Sequence, residues 1–150
     1  MPRIVAALLF AAALASACTE KTPTTPSTTD PPNVTGTWSG NLAVEGATAR
    51  MVWTLAQTNT HVTGSAFLAL PTGTVLLNGV FAGELSGSTL TYTIAIGPGA
   101  IPTQPTCVGE LGGTMNVSSG ATPTLAGNFV IRNSSCTPPF SSGSLTLTKQ

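Results

Sequence analysis

From Val34 onward the chain alternates apolar and polar positions with a period of two, broken at short intervals by Gly, Pro, Asn and Ser. In the first run Val34, Gly36, Trp38, Gly40, Leu42 and Val44 share one face, and Thr35, Thr37, Ser39 and Asn41 share the other. The second sets Met51, Trp53 and Leu55 against Arg50 and Thr54. The third sets Val62, Gly64, Ala66, Leu68 and Leu70 against His61, Thr63 and Ser65. A fourth aligns Val75, Leu77, Gly79 and Phe81, and a fifth Leu90, Tyr92, Ile94 and Ile96. Leu111 to Val117, Leu125 to Ile131, and Leu145 with Leu147 complete the series. Period two places successive side chains on opposite faces of an extended strand, so each run predicts a strand with one buried face.

Eight consecutive strands with mostly short connections, and no capped helical pattern between them, predict an all-β antiparallel meander. A flat meander would leave two open edges and an uncovered apolar face. Closure into an eight-stranded up-and-down barrel removes both problems. Glycine recurs on the inner face, in Val34-Thr-Gly36, Val62-Thr-Gly64, Leu111-Gly-Gly113 and Leu125-Ala-Gly127. Such glycines are expected to let strands bend and to leave room for Trp38 and Trp53. Strand parity puts both chain ends at one end of the barrel. The two longest connections, 97–106 and 133–142, fall at the other.

The first 33 residues have a different character. Arg3 precedes an apolar run of 11 residues, Ile4 to Leu14, and then small residues up to Cys18. That run is too short for a bilayer helix, which needs about 20 residues, and fits a signal peptide over 1–17. Residues 14–18, Leu-Ala-Ser-Ala-Cys, resemble a bacterial lipobox, with Leu14 one place further from the cysteine than usual and Ala15 in its place. The resemblance implies cleavage before Cys18, lipidation of Cys18, and an extracytoplasmic, membrane-anchored protein. Thr19 rather than Asp after the cysteine implies the outer membrane where there are two. An ordinary secretory cleavage after Ala15-Ser16-Ala17 is the alternative. Residues 18–33 are rich in Thr and Pro and read as an extended tether, reaching roughly 45 Å at about 3.1 Å per residue.

Lipidation changes the cysteine arithmetic. Of three cysteines, Cys107 and Cys136 then remain. In an oxidising compartment they are expected to form a disulfide joining the bases of the two long loops. Residues 34–150 form one domain with one core.

Charge narrows the function classes. Only 7% of residues are charged, against about 25% in ordinary domains. Without Arg3, four Lys and Arg stand against five Asp and Glu, a formal charge of −1. No basic patch is available for nucleic acid. His61 is the only histidine, sits on an outward parity near a turn, and has no carboxylate close in sequence. One His beside two cysteines expected to bridge makes no metal site, and no Ser lies in a nucleophile elbow. Glu45, Glu84 and Glu110 fall too far apart in the pattern to act as a carboxylate pair. An enzyme is not expected, nor a cofactor.

Gly36-Thr37-Trp38 on the opening strand, with the eight-strand count, resembles the lipocalin and streptavidin-like meander barrels. That resemblance implies that Trp38 plugs the closed end. It carries over no ligand, since neither the second lipocalin motif nor the polar biotin-contacting set has a counterpart here. Two binding functions stay open. One is a small hydrophobic ligand held in the barrel interior or mouth by Trp38, Trp53, Phe81, Tyr92 and Phe129. The other is a monomeric protein-interaction or inhibitor module acting through loops 97–106 and 133–142 around a filled barrel. Alternation alone also permits a membrane-spanning barrel with its apolar face outward.

Overall fold

A computed structural model describes residues 31–44, 47–137 and 142–150. The expected signal peptide, Cys18, most of the tether, Glu45, Pro138 and Pro139 lie outside the described residues. Eight strands follow in order: β1 (Gly36–Val44), β2 (Ala47–Thr58), β3 (His61–Ala69), β4 (Val75–Ser86), β5 (Thr89–Ile96), β6 (Gly109–Ser118), β7 (Thr124–Arg132) and β8 (Ser142–Lys149). Each pairs antiparallel with its sequence neighbour, and β1 meets β8 to close the barrel. The expected all-β eight-stranded meander barrel is the observed fold.

The apolar faces turn inward. Trp38, Trp53, Phe81, Leu90, Ile94 and Met115 are each at most 1% exposed, and they belong to one continuous core. The outer wall carries Thr54, Thr63, Thr91, Thr114, Asn128 and Thr146, all exposed. A barrel crossing a bilayer presents the reverse, an apolar band on the outside.

Two details depart from the expectation. Between β3 and β4 the register shifts, Leu68 pairing with Leu77 but Ala69 with Val75. The bulge breaks strict alternation, so Val75 and Leu76 are both half-buried and Val75 does not share the inner face cleanly with Leu77. The inner glycines also serve a different neighbour. A Cβ on Gly64, Gly113 or Gly127 would run into the backbone carbonyl oxygen of Thr54, Asn128 or Thr114 respectively. They clear space for the adjacent strand's main chain, whose backbone atoms are the nearest that a Cβ there would meet.

Candidate functional site

The lower end of the barrel, where the chain enters, is sealed by its own groups. Trp38 is fully buried there, and its indole N–H donates to the Val34 carbonyl at 2.7 Å. Lys149 lies with its ammonium 5.4 Å from the centre of the Trp38 ring, a cation–π distance. Val34 N–H donates to the Gln57 side chain at 2.8 Å, and Gln150 N–H to the Thr37 carbonyl at 2.9 Å. The first and last strands are thereby tied together where the chain enters β1.

Above this plug lies an aromatic cluster. Trp53 stands 5.0 Å from Phe81 and 4.8 Å from Tyr92 between ring centres, both tilted, while Phe81 and Tyr92 stack nearly parallel at 5.6 Å. Cross-strand register accounts for the meeting. Gly83 of β4, opposite Tyr92, lacks a side chain, so the Phe81 ring can lean across. Phe129 lies further round, its ring over Gly143, which it faces across β7 and β8. All five expected interior residues therefore reach the core, but only three form a cluster.

A hollow wide enough for water leaves accessible surface on the groups that line it. These five side chains retain 0–2%, and the Trp53 Nε1 and Tyr92 hydroxyl expose under 1 Å² each. The barrel around them is filled by side chains. Neither polar atom has a hydrogen-bond partner among the described residues. Burial pushes the Tyr92 phenol well above its ordinary range, because the phenolate would lose its water.

The upper end is built differently. Cys107 and Cys136 form a disulfide with 4.8 Å between their Cα atoms, joining the connection that follows β5 to the one that follows β7. A second clasp lies beside it. Gln104 donates from Nε2 to the Thr137 carbonyl at 2.9 Å, and its Oε1 accepts from Thr137 N–H at 2.7 Å. Ser135 N–H donates to the Val108 carbonyl at 2.9 Å, and Val108 N–H to the Ser135 hydroxyl at 3.0 Å. The 97–108 loop also folds downward, its Ala100 carbonyl accepting from Asn78 N–H at 2.8 Å. Ala100 and Ile101 pack half-buried against the core and cover this end. A cleft of about 430 Å³ lies on the outer wall beneath it, lined in part by Asn78, Val80, Ala95 and Pro98.

The sequence reading missed two of these contacts. His61 does have a carboxylate partner, Glu84, which β3–β4 register places directly opposite and within ion-pair reach of Nδ1. Both side chains are exposed, so the pair contributes at most about 1 kcal/mol to stability. Nothing in the sequence marks Gln104 as the loop clasp, since Thr137 is 33 residues away. Among the described residues no group of three His, Cys, Asp or Glu could hold a metal ion. Glu84 and Glu110 stand on different strands, each facing outward. No protein-family model, curated protein or solved structure matches this chain.

Proposed function

We propose that this is a lipid-anchored, extracytoplasmic binding protein without enzymatic activity, which uses its upper loops as a monomer to engage a macromolecular partner. The observation that carries the reading is the double clasp on loops 97–108 and 133–137, set on a barrel already filled by its own side chains. Ordering long loops costs conformational entropy, and here the disulfide and the Gln104–Thr137 pair meet that cost before any partner arrives. Rigid scaffolds commonly present binding loops in this way. Lipidation at Cys18 would hold the opposite end at the membrane and leave the rim facing outward.

Site-specific photocrosslinking tests the assignment. A crosslinker at Thr103 on the rim should capture a defined partner in intact cells, while one at Thr91 on the lower outer wall should not. Equal capture from both positions would remove the rim from the reading. Separately, Cys18→Ser should release the protein from the membrane fraction.

A second reading, a small hydrophobic guest within the barrel, draws on the unpartnered Trp53 Nε1 and Tyr92 hydroxyl. Organic extraction of the purified protein followed by mass spectrometry tests it, a stoichiometric lipid-like species being the required result.

A further inference from the structure

Barrel closure is uneven around the circumference. Seven of the strand pairs are joined through seven to nine residue pairs each. Among the described residues, β1 and β8 are joined through two, Trp38 with Lys149 and Ser39 with Thr148. The strands still touch one step higher, where a Cβ on Gly40 would run into the Thr146 carbonyl oxygen. Beyond that point no ladder pair joins them among the described residues. A cleft of about 330 Å³ opens in the wall, lined by Asn41, Leu42, Ala43, Phe129 and 142–144.

Along this seam the main chain of residues 41–44 is paired to β2 on one side, and that of 142–145 to β7 on one side. The other sides face each other across the gap. Unpaired strand edges are templates for another strand, and proteins normally blunt them with Lys, Pro or inward charges. Neither edge carries any of these, and no charged residue lines the cleft. The open stretch also lies at the loop end of the barrel, continuous with the connection that leads into β8.

We infer that the β1–β8 seam is a strand-addition site, which takes an uncharged polypeptide segment in extended conformation. The added strand pairs with the main chain of 41–44, of 142–145, or of both, and turns a side chain toward Leu42 and Gly143. Main-chain bonds supply affinity in this mode, and the alternate inward positions supply selectivity. Four residues on the β1 side span about 13 Å, enough for a short segment. The inference deepens the proposed rim function by naming the chemical class of partner, and it rests on that reading only for its biological setting.

The probe is a synthetic peptide copying residues 36–44, the sequence that β8 already faces at its lower end. Amide hydrogen exchange is followed on the full chain with and without peptide. Exchange at 41–44 or 142–145 should slow about tenfold at saturating peptide, while β3 and β4 stay unchanged. The same peptide N-methylated at alternate residues, which removes main-chain donors but keeps the side chains, should have no effect. An Ala43→Cys, Ser144→Cys pair, oxidised to close the open stretch, should also abolish the response. Equal protection by the methylated peptide, or none from the parent, overturns the inference. So does seam exchange in the free chain as slow as in β3, since the edges would then already be paired. The probe needs no natural partner, so a failed crosslink from Thr103 leaves this result standing, and the reverse holds equally.

Discussion

Tyr92 concentrates the residue-scale chemistry. Its hydroxyl is buried with no partner among the described residues, a condition that costs about 1–3 kcal/mol. Tyr92→Phe keeps the stack on Phe81 and removes the orphan. The denaturant midpoint should stay level or rise by an amount worth about 1 kcal/mol. The same burial sets an alkaline limit. With the folded pKa raised above the unfolded value near 10, the Tyr92 contribution is complete below about pH 10. Above it, stability should fall by about 1.4 kcal/mol per pH unit as the unfolded chain ionises first. Tyr92→Phe should lack that slope. The chain has one tyrosine, so phenolate absorbance follows this group alone, and ionisation near pH 10 in the folded protein would contradict the burial argument.

Glycine governs the elements. Gly64→Ala, Gly113→Ala and Gly127→Ala each push a methyl group into a neighbouring carbonyl oxygen. Each should cost about 2–3 kcal/mol, because a strand held in a ladder cannot retreat. Gly120→Ala, where a Cβ meets nothing within 4 Å, should be near neutral. Chemical denaturation of the four variants checks the contrast. The sequence made the strands legible because alternation is local: every run from Val34 to Leu147 could be read without knowing its neighbour. Register is not local. The His61–Glu84 pair, the bulge at Leu68 and the Gln104–Thr137 clasp each depend on which residue stands opposite, and no spacing rule supplies that. The same reason hid the seam. Parity demands that β1 and β8 meet, but it says nothing of how far along their length they stay together. The disulfide was legible only because counting cysteines is independent of register.

At the scale of the whole molecule, the disulfide closes a separation of 29 residues. Replacing both Cys107 and Cys136 by Ala should lower stability by about 3–4 kcal/mol on the chain-entropy estimate. With the disulfide gone, the Gln104–Thr137 pair and the Val108–Ser135 bonds are left to hold the loops, so Gln104→Ala should cost more in that background than in the parent. A double-mutant cycle by thermal or denaturant unfolding measures the difference. The last residues of the chain meet the segment that leads into β1 at the lower plug, where Lys149 and Gln150 reach Asn33 and Thr37. That arrangement has a mechanical meaning. A pull applied between Asn33 and the rim runs along the strands, so the nine β1–β2 pairs share the load in shear instead of unzipping singly. If the rim binds a partner as proposed, such a domain would pass tension on through a ladder loaded in shear.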